Sequence, residues 1–142
     1  MLEIGTSNGY STLWLADAAE SIGGTVTSLE IEPARTALAA QHLAHVGLAA
    51  VVDLRIEDAA RALASFDDAS WDLIFLDAER PAYVGYWPHL VRVLARPGLL
   101  AVDNVISHAD EVAEFRARVE ADERVMSSLV PIGAGVLLVA PT

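Results

Sequence analysis

The order of the apolar segments constrains the fold of this chain more than any other feature. Short apolar runs typical of strands alternate with helical patterns in the order βαβαβαβαβαββ. This alternation predicts an α/β protein with a doubly wound, Rossmann-like sheet that is mainly parallel and closes with a C-terminal antiparallel strand. The length of 142 residues predicts one domain over residues 1–142.

The predicted elements are short and closely spaced. Predicted strands cover residues 2–4, 25–31, 51–56, 71–76, 99–102, 124–131 and 136–140. Predicted helices cover residues 11–19, 34–46, 59–66, 83–94 and 110–121. Pro97-Gly98 is predicted to break the chain after the fourth helix, and Gly133-Ala134-Gly135 to turn a final hairpin. Because the sequence starts inside a strand that this topology makes central, we expect further sequence upstream of Met1.

Composition excludes several kinds of chemistry. The chain has no cysteine and no lysine, so a disulfide, a thiolate nucleophile, a zinc–cysteine site and a Schiff base are all ruled out. The formal net charge of −11 opposes binding to nucleic acid and favours a cation or a cationic ligand. No apolar run is long enough for a membrane span, and the first residues lack the pattern of a signal peptide. We therefore expect a cytoplasmic protein.

The carboxyl ends of the predicted strands carry glycine or acidic residues, and ligands bind at these ends in doubly wound folds. Residues 5–9 (GTSNG) follow the first strand, where glycines allow the backbone to approach a ligand closely. Glu30 ends the next strand, and a carboxylate there can accept hydrogen bonds from ribose hydroxyls. Ser7 occupies the second glycine position of the dinucleotide fingerprint, which argues against NAD. The pattern predicts an adenosine-containing cofactor.

Residues 2–12 (LEIGTSNGYST) resemble the cofactor loop of class I S-adenosylmethionine-dependent methyltransferases. More narrowly, they resemble the metal-dependent O-methyltransferases, the group that contains catechol and caffeoyl-coenzyme A O-methyltransferases. The similarity continues in the family's order through residues 26–30, 58–59, 71–80, 83, 86, 97–98, 102–105 and 131–135. It implies a methyltransferase sheet and methyl transfer from S-adenosylmethionine to a hydroxyl of a catechol-like or other vicinal-diol aromatic.

The resemblance also implies positions for the site residues. The implied cofactor contacts are Glu3, Gly5, Thr6, Ser7, Gly9, Tyr10, Ser11, Glu30, Ile31, Asp58, Ala59 and Asp77. Glu57 departs from the family, which usually has glycine before the Asp-Ala pair. The implied metal ligands are Asp77, Asp103 and Asn104.

The chemistry of these three residues fits the implied metal independently. Two carboxylates and one amide oxygen form an oxygen-only site suited to a divalent cation, with magnesium preferred over manganese or calcium. Such an ion keeps open positions through which a vicinal diol could be chelated, and it would lower the pKa of one hydroxyl. The alternative for Asp103 and Asn104 is a turn with side-chain caps.

Arg80 is the main departure from the family, which typically has a lysine assigned as general base at this position. A guanidinium group cannot accept a proton, so three interpretations remain open. Arg80 stabilises an oxyanion, His108 serves as the base, or the chain binds the cofactor and methylates poorly. Beside the O-methyltransferase, Arg80 therefore leaves a second function class open, a non-catalytic S-adenosylmethionine-binding domain. The third class considered is an NAD-dependent oxidoreductase, against which Ser7 argues.

Several further residues have less distinctive patterns. His42 and His45 lie three apart on a predicted helix, and an exposed face is favoured over a metal pair because no third ligand is evident. Trp14, Trp71 and Trp87 are predicted to pack in the core. One of Tyr83, Tyr86 and Trp87 could flank an aromatic substrate, but a core position is favoured for most of them. The family carries roughly 60 residues of helix before the first strand. In the family those helices contribute to the lid, the substrate pocket and the dimer. This sequence does not contain them, so the resemblance leaves a homodimer as an open expectation.

Overall fold

The computed structural model describes residues 1–142, in which seven strands alternate with five helices. The strands are β1 Leu2–Ile4, β2 Val26–Glu30, β3 Val52–Ile56, β4 Trp71–Leu76, β5 Leu94–Val102, β6 Val125–Val130 and β7 Val136–Pro141. The helices are α1 Tyr10–Ser21, α2 Pro33–His45, α3 Ala59–Ser65, α4 Tyr83–Val93 and α5 Ala113–Glu120. A short 3-10 helix at Arg80–Ala82 precedes α4.

Residues 1–62 form one compact unit, the first unit, which contains three parallel strands in the order β3-β2-β1. Leu2 pairs with Thr27 and Val26 pairs with Val52, which sets the register. Small and branched apolar side chains pack together in this unit, with Ala16 from α1, Leu43 from α2 and Leu48 from the turn after α2. Strand β2 is buried along its whole length, as expected for a strand between two neighbours.

Residues 63–142 form the second unit, with strands in the order β4-β5-β7-β6. Strands β4 and β5 are parallel, whereas β7 is antiparallel to both β5 and β6. An aromatic group supports this unit: the ring of Phe115 meets the rings of Tyr83 and Trp87 edge to face, with centroids 5.5 and 5.7 Å away. Such contacts add to the stabilisation that burial provides.

The predicted fold class is confirmed, since the chain has a mostly parallel seven-stranded sheet with β7 as the antiparallel strand. The predicted hairpin around Gly133-Ala134-Gly135 is also present, with Val130 opposite Val136. None of the helices is both long enough and apolar enough to cross a membrane.

The fourth helix ends before Pro97-Gly98, as predicted, but the predicted start of the next strand at residue 99 is wrong, because β5 begins at Leu94 and runs through this pair. Leu94 pairs with Trp71 and Leu99 with Leu73, so the residues between them form an irregularity that accommodates the proline. Glycine is required at position 98, because a Cβ there would lie 2.5 Å from the Ala95 carbonyl oxygen.

Two other predictions also need correction. Helix α5 begins at Ala113 rather than at residue 110, because the preceding segment turns: His108 N donates to the Asn104 carbonyl and Ser107 N to the Ala134 carbonyl. Trp14 was predicted to pack in the core, but it is 65% exposed. It lies off the face of α1 that Thr12, Ala16 and Ala19 bury.

Candidate functional site

The cofactor loop, residues 5–9, connects β1 to α1 through backbone conformations that glycine favours. Gly5 and Gly9 have φ values of 107° and 88°, and Ser7 between them has a φ of 50°. The amides of Gly5 and Thr6 both donate to the Leu29 carbonyl of β2, at 3.0 and 3.2 Å. A Cβ at position 9 would lie only 2.9 Å from the Ala39 Cβ of α2. Both φ and packing therefore require glycine at this position.

Glu3, predicted to contact the cofactor, is fully buried beneath this loop. Its carboxylate accepts hydrogen bonds from Ser11 Oγ and Thr12 Oγ1, each at 2.5 Å, and from Ser28 Oγ. The Thr6 and Ser28 hydroxyl oxygens are 2.6 Å apart. The carboxylate thus joins the strand before the loop to the helix after it, which satisfies a charged group that would be costly to bury alone. Ser11 uses its hydroxyl in the same network.

Glu30 lies at the end of β2, as predicted, and it is 7% exposed. Its Oε2 accepts the Ser7 amide at 2.8 Å, while Oε1 accepts the amides of Ile31 and Glu32 at 2.9 and 3.0 Å. A carboxylate can accept about four hydrogen bonds, so these three donors leave capacity for a ligand hydroxyl. The hydrogen bond from the Ser7 amide to Glu30 also fixes the centre of the cofactor loop.

The other predicted cofactor residues of the first unit lie at the ends of helices and strands. Asp58 caps α3, since its Oδ1 accepts the Arg61 amide at 3.0 Å, and Ala59 is the first residue of that helix. Tyr10 and Ile31 expose 71% and 63% of their surfaces, so both could contact a ligand. His42 lies on an exposed face of α2, as predicted, and its Nδ1 is 2.8 Å from the Asn8 carbonyl oxygen. That interaction ties α2 to the cofactor loop.

In the second unit, the three predicted metal ligands meet at neighbouring strand ends; we call Asp77, Asp103 and Asn104 the strand-end cluster. Leu76 pairs with Val102, so Asp77 after β4 lies beside Asp103 after β5. Asn104 Nδ2 donates to Asp77 Oδ1 at 2.9 Å, and the Asn104 amide donates to Asp103 Oδ1 at 2.8 Å. Asn104 has a φ of 65°, a left-handed conformation that asparagine tolerates better than most residues.

The surroundings of Asp77 have opposing effects on the pKa of its carboxyl group. Burial raises the pKa of this carboxyl above its ordinary value, and the negative charge of Asp103 adds to the rise. The hydrogen bond from Asn104 and the positive charges of Arg80 and His108 lower the pKa, but they do not cancel the effect of burial. A cation placed among these oxygens would relieve both the desolvation and the repulsion.

Arg80 and His108, predicted as catalytic residues, both act electrostatically on Asp77. The Nε of Arg80 is buried and has no hydrogen-bond partner. His108 Nδ1 lies 2.8 Å from Ser107 Oγ, which leaves its other ring nitrogen for a ligand. Both side chains therefore carry polar atoms that the protein itself does not satisfy.

The residues present fit a divalent cation, but only with Asn104 as a ligand. No three or more histidine, cysteine, aspartate or glutamate side chains form a group that could hold a metal ion. Two carboxylates and the Asn104 amide oxygen give an all-oxygen donor set, which suits magnesium. His42 and His45 are both exposed on α2.

The sequence favours a core position for most of the aromatic residues after β4, and Tyr83 is indeed in the core, but the hydrogen bonds of its hydroxyl were missed. The side chain is fully buried, and its hydroxyl hydrogen-bonds to the backbone of Ala78, directly after Asp77. The available signal was a tyrosine six residues after the predicted metal ligand, but sequence spacing alone does not show which way a side chain turns.

A family model described as O-methyltransferase matches residues 1–141. The chain belongs to this family. A catechol O-methyltransferase of Mycobacterium tuberculosis is 36% identical over 114 residues, covering 80% of this chain and 51% of the relative. A protein of Dictyostelium discoideum named "Probable caffeoyl-CoA O-methyltransferase 2" is 29% identical, covering 97% of this chain and 67% of the relative. The chain thus spans about half to two thirds of the length of these relatives, and the resemblance predicted from sequence is confirmed.

Two solved structures support the fold, and the second of them, at more than 25% identity, also agrees with the family. The methyltransferase PaMTH1 of Podospora anserina, bound to SAH, superposes with a TM-score of 0.89 at 24% identity, covering 99% of this chain and 70% of its own. The O-methyltransferase TomG of Streptomyces achromogenes, in complex with SAM, gives a TM-score of 0.87 at 28% identity, covering 99% of this chain and 72% of its own.

Proposed function

We propose that this chain is the cofactor-binding and catalytic region of a divalent-cation-dependent O-methyltransferase that acts on catechol-like or other vicinal-diol aromatics. The convergence of Asp77, Asp103 and Asn104 at two neighbouring strand ends carries the proposal. Relatives named catechol and caffeoyl-CoA O-methyltransferases support the substrate class. A net charge of −11 favours a small molecule over a nucleic acid as substrate.

The first unit would hold S-adenosylmethionine, as TomG does. The cofactor loop would hold the methionine part of the cofactor, and the positive φ values of Gly5 and Gly9 at its two ends would permit a close approach of the backbone. Glu30 offers its remaining acceptor capacity to the ribose hydroxyls. Asp58 and Ala59, at the start of α3, would contact the adenine.

The second unit would bind the cation and the substrate hydroxyl. When bound, S-adenosylmethionine supplies an electrophilic methyl group and magnesium lowers the pKa of a coordinated hydroxyl. The carboxylates of Asp77 and Asp103 and the amide oxygen of Asn104 would hold the cation. The positive charge of Arg80, which acts on Asp77, would stabilise the negative charge on the ionised substrate oxygen. The hydroxyl proton passes to water, with His108 as the alternative acceptor.

A second function has one observation in its favour. Arg80 cannot accept a proton, and a site without an effective base would bind the cofactor and methylate poorly. On that basis the chain would be a non-catalytic S-adenosylmethionine-binding domain. The two functions share the first unit and differ in what the strand-end cluster does.

One experiment separates these functions. The protein is titrated with S-adenosylmethionine and, separately, with NADH by calorimetry, and methylation of caffeate is then followed with magnesium and with a chelator. We expect S-adenosylmethionine to bind and methylation to stop when the metal is removed. Cofactor binding without metal-dependent turnover would support the non-catalytic function, and binding of NADH alone would contradict both.

A further inference from the structure

Tyr83 is the first residue of α4, and no part of it is exposed. Its hydroxyl accepts a hydrogen bond from the Ala78 amide at 2.9 Å and donates one to the Ala78 carbonyl oxygen at 3.1 Å. One side chain therefore satisfies both backbone polar groups of a single residue. That residue lies directly between Asp77 and Glu79.

These two hydrogen bonds fix the backbone on both sides of Ala78. The amide belongs to the planar peptide group that joins Asp77 to Ala78, and the carbonyl belongs to the next peptide group. Holding both planes restricts the direction in which the Asp77 side chain leaves the backbone. Asp77 Oδ1, in turn, accepts the 2.9 Å hydrogen bond from Asn104 Nδ2.

The ring of Tyr83 is itself held in place. It meets Phe115 of α5 edge to face, with centroids 5.5 Å apart and the planes at 72°. Phe115 is 1% exposed and makes a second edge contact with Trp87. Burial raises the pKa of the Tyr83 hydroxyl to about 12, so the group stays protonated and able to donate at neutral pH.

We propose that Tyr83 is a positioning residue, which sets the Asp77 carboxylate against Asn104 and so preorganises the strand-end cluster for a cation. This inference rests on the proposed function only for the identity of the ligand. Groups that orient metal ligands commonly change metal affinity 10–100-fold when they are removed. The Tyr83 hydroxyl stands in that relation to Asp77 through the backbone of Ala78.

The test compares Tyr83→Phe with Trp87→Phe in the full chain. Tyr83→Phe removes the hydroxyl and keeps the ring, whereas Trp87→Phe perturbs the same aromatic group and removes a 3.1 Å hydrogen bond to Asp122, away from Ala78. Two quantities are measured beside the thermal midpoint: the affinity for Mn²⁺ by calorimetry, and the side-chain amide resonances of Asn104 by NMR without metal.

We expect Tyr83→Phe to weaken Mn²⁺ binding about tenfold and to shift the Asn104 side-chain resonances. Trp87→Phe should leave the affinity within about twofold of the original and these resonances in place, even where it lowers the thermal midpoint as much. Unchanged Asn104 resonances in Tyr83→Phe, or equal losses of Mn²⁺ affinity in both variants, would overturn the positioning role.

Failure of the proposed function gives a different result. If the unsubstituted protein does not bind Mn²⁺, the cation part of that proposal is wrong, and the Asn104 resonances alone then decide whether Tyr83 positions Asp77. If Tyr83→Phe does not fold, Phe115→Leu replaces it, because it loosens the seat of the Tyr83 ring and keeps the hydroxyl. We expect Phe115→Leu to weaken Mn²⁺ binding and to shift the Asn104 side-chain resonances by smaller amounts. The absence of both changes would overturn the inference.

Discussion

The cofactor loop and the strand-end cluster satisfy their polar groups in opposite ways. In the first unit, Glu3 accepts three side-chain hydroxyls and Glu30 accepts three backbone amides. In the second unit, burial raises the pKa of Asp77 and the Nε of Arg80 has no partner. The buried carboxylates of the first region are thus hydrogen-bonded within the protein, whereas the second region holds charges that a cation and an anionic oxygen would balance.

This difference indicates where each region gains its function. A loop whose backbone is already fixed binds a cofactor more tightly, because less conformational freedom is lost on binding. A group that must stabilise charge in a reaction benefits from donors and charges that the protein does not neutralise itself. Substitutions should therefore affect folding in the first region and reactivity in the second.

The largest expected effect comes from Asp103→Ala. Loss of this carboxylate removes a ligand of the proposed cation, and we expect kcat for caffeate methylation to fall about 1,000-fold. The affinity for S-adenosylmethionine, measured by calorimetry, should stay within about twofold. Asp72→Ala is the matched control, since Asp72 is exposed on β4 and should leave both values unchanged. Full activity in Asp103→Ala would remove the proposed metal site.

Glu3→Ala tests the other side of the comparison. Three hydroxyl groups around Glu3 would lose their acceptor, and two of them belong to the fully buried residues Thr12 and Ser28. We therefore expect the free energy of unfolding in urea to fall by about 3 kcal/mol. Glu20→Ala removes the same charge from an exposed position on α1 and is the control. Equal small losses in both variants would show that the buried network contributes little.

Arg80→Met should lower kcat about 100-fold, because it removes the positive charge proposed to stabilise the ionised substrate oxygen. Arg80→Lys keeps the positive charge and should change kcat by less than about threefold. A marked rise in activity with lysine would instead show that the chain lacks a base, which would favour the non-catalytic function.

The smallest effect concerns the stability of the metal-free protein. Because burial raises the pKa of Asp77 above 3.8, the native state binds this proton more tightly than the unfolded chain does. Stability therefore falls as pH rises from 3.8 through the raised pKa, and the loss is complete at higher pH. Asp77→Asn should raise the thermal midpoint at pH 7 and make little difference near about pH 3. Asp72→Asn, an exposed control, should do neither.

Local pattern predicted the features that depend on neighbours in sequence. Each strand was located from its apolar run, and the glycines, Glu30, Asp77 and Asp103 were placed at strand ends because those runs stop there. The family resemblance implied the strand-end cluster, and the topology agrees with it, since parallel neighbours bring their carboxyl ends together. These inferences needed no knowledge of side-chain direction.

Features that depend on distant partners were out of reach. The three hydroxyls that meet Glu3 come from two other elements, and nothing in the local sequence selects Ser28 among the polar residues of β2. Likewise, β5 passes through Pro97-Gly98 because pairing with β4 overrides a local signal for a break. The position of the Tyr83 hydroxyl depends on how the ring packs against Phe115, and the periodicity of the sequence does not specify that packing.

The left-handed backbone of Asn104 has a consequence for dissecting this protein. Most L-residues are strained at a φ of 65°, so alanine there would disturb the turn and delete the amide at the same time. Glycine adopts this conformation freely, and Asn104→Gly would take away the side chain while leaving the main-chain path intact. Position 104 therefore allows a donor atom and the geometry of its loop to be examined independently of each other.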